Sequence, residues 1–272
     1  MAINLNVDFL KTNYFTFEKP VDFKQEKYEI EEDGKLKEII STLKVYPVTV
    51  RDWLTFANCV VVLDLEKNNT DDISIIQMSY LKWILTSSIK DEEFGNEVMP
   101  RLYKLMNICF KTEDIVFDLG ENQTPIWYIN GFKLNSKDFD YFRKLVMYQN
   151  ISEYEDDSMV DSDFKKAMEE YNDLANRGVE MPSLERQIVI VANERHVMEE
   201  VIYDMSYRKF RIALAEINGK IEYQINKTAE VSGMVEFKQP IDHWIYKAKK
   251  DRYSQGLVDV DALKDKINKA NG

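Results

Sequence analysis

The sequence predicts a mostly α-helical, α+β protein, and three observations predict it. Glycine and proline are scarce, 9 and 6 among 272 residues, which favours long regular elements over tight turns. Apolar residues recur at helical spacing through most of the chain. Runs rich in β-formers fall in the first half. Helical bundle lobes are therefore expected, with a small antiparallel sheet or hairpin in the N-terminal half.

Taken in order, Tyr14–Phe17 and Leu43–Tyr46 cluster β-formers around a charged stretch and a turn at Gly34, so a small sheet is expected there. Thr49 and Asp52 resemble a capping box, and Trp53, Leu54, Ala57, Val60 and Val61 follow at helical spacing, which predicts a helix over 50–65. Past a polar loop at Lys67–Asp72, Asp72 can cap a helix bearing Ile73, Ile76, Tyr80 and Ile84. Val98, Leu102, Leu105 and Cys109 form another stripe after Pro100, which suits a first turn. Residues 115–134 hold three β-rich runs, the last two joined by Asn130-Gly131, a strong turn dipeptide, and read as a small hairpin or a three-stranded meander. Ser136 is then expected to cap a helix ending near Gln149-Asn150.

Ser152 to Asp163 contains six acidic residues and no basic one, which reads as a solvated linker. Its aspartates lack the glycine and terminal glutamate of a calcium loop. Beyond it the chain reads as helical. One helix carries Phe164, Met168, Tyr171 and Leu174 and stops at Gly178; Pro182-Ser183 opens the next, with Leu184, Ile188, Val191 and Met198 on one face. Ser206 can cap a long helix on which Phe210, Ala213, Leu214, Ile217, Ile221 and Ile225 share a stripe, with Gly219 off it and an end near Gly233. The organisation expected is a mixed α/β N-terminal lobe over 1–150, an acidic linker over 151–163, a helical C-terminal lobe over 164–246 and a charged tail over 247–272. The sequence leaves open whether the lobes form one unit.

The charge balance bounds the function. A net charge of −12 and a pI of about 4.9 oppose general binding to phosphate backbones, so no nucleic-acid partner is expected. No run approaches the ~20 apolar residues of a membrane helix and the N-terminus lacks a signal pattern, so the expectation is a cytoplasmic protein without a membrane partner. Cys59 and Cys109 cannot build a disulfide framework or a zinc site and read as buried small hydrophobes.

Chemistry-bearing motifs are missing from the sequence. There is no phosphate-binding glycine loop, no His-Glu-x-x-His and no Gly-x-Ser-x-Gly. Two histidines leave little for imidazole chemistry. His196 reads as a helix-face residue near Glu200, and His243, beside Asp242 and Trp244, as structural. The expectation is no catalytic residue, no cofactor and no metal, hence no enzyme. A rival reading would place a metal-assisted site on the acids of 153–163. Two basic patches, Arg208-Lys209-Arg211 and Lys247–Arg252, interleave with aromatics but are short. Trp244 and Tyr246 supply large rigid contact area, although Trp244 could instead cap the core. With Phe210 and Arg211 they are the candidate protein-contact residues.

Three stretches resemble the tail assembly chaperones encoded by phages and prophages of Firmicutes. They are Val45–Phe56, Met78–Ile84, and Ile129-Asn130-Gly131 followed by Phe139–Lys144 and closed by Gln149-Asn150. Together they span about 100 residues, from 45 to 150. The resemblance implies a non-enzymatic protein that binds the tape-measure protein, keeps its helices soluble, assists tail-tube assembly and self-associates into a homo-oligomer. It transfers no functional residue. A structural tail or baseplate component retained in the virion is the other reading.

Overall fold

The computed structural model describes residues 5–30, 36–65, 67, 72–120, 124–156, 162–175, 178, 182–233, 235, 237 and 240–246. The charged tail over 247–272 and part of the acidic linker, 157–161, lie outside the described residues, as does the second basic patch.

The fold is mostly helical with two small antiparallel sheets. In chain order the elements are α1 (Val7–Leu10), β1 (Val21–Ile30), β2 (Leu36–Val45), α2 (Trp53–Val60), α3 (Ile73–Gln77), α4 (Tyr80–Lys90), α5 (Glu92–Phe110), β3 (Ile115–Leu119), β4 (Pro125–Ile129) and β5 (Phe132–Leu134). They continue with α6 (Ser136–Asn150), α7 (Ser162–Ala175), α8 (Leu184–Arg195), α9 (Glu199–Tyr203) and α10 (Tyr207–Ser232). β1 pairs with β2 from Val21↔Val45 to Ile30↔Leu36. The strands β3-β4-β5 form a meander, the three-stranded one of the two arrangements the β-rich runs allow. Its second turn has positive φ at both Asn130 (49°) and Gly131 (76°), the conformation that matches the twist of a two-residue hairpin. No helix among the described residues is long and apolar enough to cross a membrane.

The chain divides into two compact units, Met1–Asp156 with Ile188–Leu214, and Asp157–Gln187 with Ala215–Gly272. The first has an aromatic and aliphatic core. Val21, Phe23, Leu43 and Val45 are buried on one face of β1–β2, the alternation a half-buried sheet requires. Phe110 of α5 stacks on Phe142 of α6 at 4.9 Å, and Phe23 meets Tyr141 edge-on at 5.2 Å. Cys59 and Cys109 are both buried free thiols, and burial pushes the Cys109 thiol well above its ordinary range.

Two stretches singled out in the sequence turn out to be joined by buried polar groups. Asn150 Oδ1 accepts the Val48 N–H at 2.8 Å and its Nδ2 donates to the Val146 carbonyl at 2.9 Å. Gln149 Nε2 donates to the Val45 carbonyl at 3.3 Å. Gln149-Asn150 thus ties the end of α6 to the loop after β2, because a buried N–H needs a partner.

The segment Ile188–Leu214 closes on that same loop. Val50 N–H donates to the Met205 carbonyl at 2.9 Å, Arg51 N–H to Tyr203 at 3.1 Å, and Tyr207 N–H to Val48 at 2.8 Å. Trp53 and Tyr207 stack with 5° between their planes.

Several local expectations are corrected. Tyr14–Phe17 is not a strand: α1 continues as a wider π-type turn over Lys11–Phe15, started by Asn6, whose side chain accepts the Phe9 N–H at 3.1 Å, and it buries Leu10 and Phe15. Burial outweighs the β-propensity of the aromatics. The helix predicted over 50–65 begins at Trp53, because the Thr49 hydroxyl donates to Asp52 Oδ2 at 2.9 Å and leaves 49–52 as a turn. The stripe from Ile73 to Ile84 is divided into α3 and α4 by Met78, at ψ 143°, with Ser79 capping α4. Pro100 is interior to α5, which starts at the Asp91 cap; both Asn96, whose carbonyl loses its donor, and Pro100 are exposed, so that carbonyl faces solvent. Asn135 rather than Ser136 caps α6, in a capping box with Asp138.

Candidate protein-contact surface

The longest described helix, α10, holds most of the residues the sequence singled out. Its start is fixed twice. Ser206 Oγ accepts the Lys209 N–H at 3.4 Å. Glu18 accepts the Ser206 N–H at 2.6 Å on one carboxylate oxygen and the Lys209 ammonium at 2.6 Å on the other. A carboxylate at a helix N-terminus is favourable. Burial alone would raise the Glu18 carboxyl, but the Lys209 and Ser206 contacts outweigh it and hold Glu18 below the usual glutamate range.

Along α10, Phe210, Leu214, Ile217, Ile221, Gln224, Thr228 and Val231 alternate steps of four and three residues. That spacing keeps them on one face, with Ile225 beside the seam. The first part of the face is buried: Phe210 has 0% of its surface exposed, and Ala213, Leu214 and Ile217 are also buried. The rest is not. Ile221 is 43% exposed, Ile225 63% and Val231 86%. Gln224, Ile225, Thr228, Ala229 and Ser232 line a shallow, mainly apolar groove there.

The opposite face of α10 is taken by the aromatic turn at Trp244–Tyr246. Trp244 Nε1 donates to Glu216 Oε2 at 3.2 Å, its ring stacks on His243 at 3.9 Å, and Tyr223 lies 5.4 Å from it. Gly219 sits beneath: a Cβ at that position would lie 3.4 Å from Trp244 Cδ1. Glu216, Gly219 and Tyr223, at spacings of three and four, share a helix face. The glycine off the apolar stripe is therefore where the indole approaches the backbone.

The four candidate contact residues are placed differently. Phe210 is in the core of the first unit and offers no surface. Arg211 lies 3.9 Å from Glu153. Trp244 is half-buried against α10, and Tyr246 beside it is 81% exposed. The structure brings Trp244 onto α10, with Tyr246 exposed in the same turn, and puts Phe210 and Arg211 near the start of that helix. Ile225 and Val231 carry the exposed face, and Val231 was missed; the four-three alternation running on past Ile225 is the signal that finds it.

The first basic patch is consumed within its own unit. Arg208 donates to the Tyr148 carbonyl at 3.0 Å, Lys209 pairs with Glu18 at 2.6 Å, and Arg211 faces Glu153. His196 is not on a helix face. It ends α8 in a left-handed conformation, φ 55°, and the Val197 N–H donates back to the Ala192 carbonyl at 3.1 Å, which separates α8 from α9 and leaves Met198 outside both. Among the described residues no group of three or more His, Cys, Asp or Glu could hold a metal ion.

Residues 175–249 match the family described as the YomV second domain, a phage-associated domain. The matched range contains α8, α9, α10 and the aromatic turn. No curated protein and no solved structure matches the chain.

Proposed function

We propose that this chain is a phage tail assembly chaperone that holds the tape-measure protein in the host cytoplasm and assists tail-tube assembly, acting by binding and not by catalysis. The observation that carries the reading is the apolar face of α10, which continues past Ile217 into solvent at Ile221, Ile225 and Val231. An exposed apolar face of that kind marks an interaction surface, and a helix recognises a partner helix through anchors three and four residues apart. The similarity of residues 175–249 to a phage-associated domain supports a phage setting for it, and the stretches between 45 and 150 resemble chaperones of that class.

Co-expression with the tape-measure protein tests the proposal. The soluble yield of the tape-measure protein should rise with this chain present and fall back with Ile225→Asp; an unchanged yield counts against it. Mass spectrometry of purified particles separates the reading from a structural tail or baseplate component. A chaperone is absent from the particle, whereas a structural part is present at fixed stoichiometry.

A further inference from the structure

We propose that the exposed half of α10 pairs with a partner polypeptide's amphipathic helix whose acidic residues flank its apolar seam, and that it does not pair with a second copy of this chain. The inference rests on the reading that this surface holds a partner and names the chemistry of that partner. Ile221 and Thr228 occupy one core position of successive heptads, and Gln224 and Val231 the other. Lys220 and Lys227 each precede a core residue, Ile221 and Thr228, and so lie seven apart on one edge of the seam. The other edge, Asn218, Ile225 and Ser232, carries no charge.

Edge residues set partner choice and orientation in paired helices. Two antiparallel copies of α10 bring like edges together and set Lys220 of one against Lys227 of the other, which is repulsive. Two parallel copies set each lysine beside Ile225 or Ser232, where it finds no counter-charge. A partner with glutamate or aspartate on the facing edge satisfies both lysines. Lys227 also bonds Glu230 at 2.8 Å, one of the three donors an ammonium offers, so it keeps capacity for a second acceptor. The polar core residues Gln224 and Thr228 lower the strength of pairing and fix its register. The opposite face of α10 is already occupied by Trp244, so the seam side is the side offered.

The test uses the full chain and two synthetic peptides of about three heptads. Both carry leucine at the core positions; one has glutamate at both edges, the other lysine. Fluorescence anisotropy at low salt should show the glutamate peptide binding about tenfold tighter or more. Lys220→Glu combined with Lys227→Glu should reverse the order. Circular dichroism confirms that the variants, changed at exposed or half-exposed positions, remain folded. Equal affinity for the two peptides overturns the inference, and so does a dimer of this chain that Ile225→Asp abolishes. If the peptides bind equally while Ile225→Asp still lowers tape-measure solubility, the edge rule fails and the proposed function stands. If the peptides are discriminated while that solubility is unaffected, the pairing rule stands and the assignment of the partner fails.

Discussion

In the first compact unit, apolar stripes on α4, α5 and α6 disappear into one core, where Phe56, Leu102, Phe139 and Phe142 are wholly buried. In the second, stripes of the same spacing meet solvent: Tyr171 and Leu174 on α7, and Ile221, Ile225 and Val231 on α10, are exposed. The two kinds of helix are indistinguishable by periodicity. Periodicity identifies the face that needs covering, and the rest of the chain decides whether a cover is supplied. A stripe left exposed is then a statement about function, whereas a buried one is a statement about stability.

Substitutions on the two kinds of face give the sharpest contrast. Phe210→Ala removes a fully buried ring and should cost about 3–5 kcal/mol. Ile225→Ala, on the same helix, should stay within about 0.5 kcal/mol. Urea denaturation of both variants measures the pair, and equal losses would erase the distinction between the regions. Asn150→Ala comes next. It leaves the buried Val48 N–H without its acceptor, at a cost of about 2–3 kcal/mol.

Two glycines extend the comparison to backbone approach. In the first unit a Cβ on Gly95 would lie 2.7 Å from the Ser88 carbonyl oxygen, so Gly95→Ala should force α4 and α5 apart and cost about 1–2 kcal/mol. In the second, a Cβ on Gly219 meets Trp244 at ordinary contact distance. Gly219→Ala should stabilise the helix by up to about 1 kcal/mol. Thermal melts of the two variants should shift in opposite directions, and a loss in both would mean that the second unit is packed as tightly as the first.

The acid dependence of the Glu18 anchor is a smaller effect. Glu18 is held below its usual range in the folded chain, so its contribution is present at neutral pH and is lost as pH falls through that lowered value. Glu18→Gln should cost about 1 kcal/mol at neutral pH, a modest figure because Lys209 is partly solvated and its attraction is screened. The gap between wild type and variant should narrow as pH drops below the ordinary glutamate range. A gap that widens in acid would contradict the assignment.

Much of the local structure was legible in the residues. The meander could be read from its β-rich runs and Asn130-Gly131, and the long helix from Ser206 to Gly233 from its stripe and cap. One error fell where burial overrides propensity, and the others at helix ends set by local caps and backbone angles. Tyr14–Phe17 reads as a strand until Leu10 and Phe15 are buried together. His196 reads as helical until its left-handed φ ends α8.

The candidate surface was half legible. The stripe through Ile225 is visible in the sequence, but which part of it stays exposed depends on residues far away in the chain. Phe210 and Ile225 share the stripe read from spacing, yet one is 0% and the other 63% exposed. The basic run Arg208-Lys209-Arg211 likewise looks available until Tyr148, Glu18 and Glu153 meet it, each more than fifty positions away in sequence.

Amide hydrogen exchange along α10, recorded with and without the tape-measure protein, tests the central claim most directly. Protection should increase over Gly219–Ser232 and stay unchanged over Tyr207–Ile217, whose apolar face is already buried at Phe210, Ala213, Leu214 and Ile217. Protection that leaves Gly219–Ser232 untouched and appears elsewhere in the chain would contradict the account.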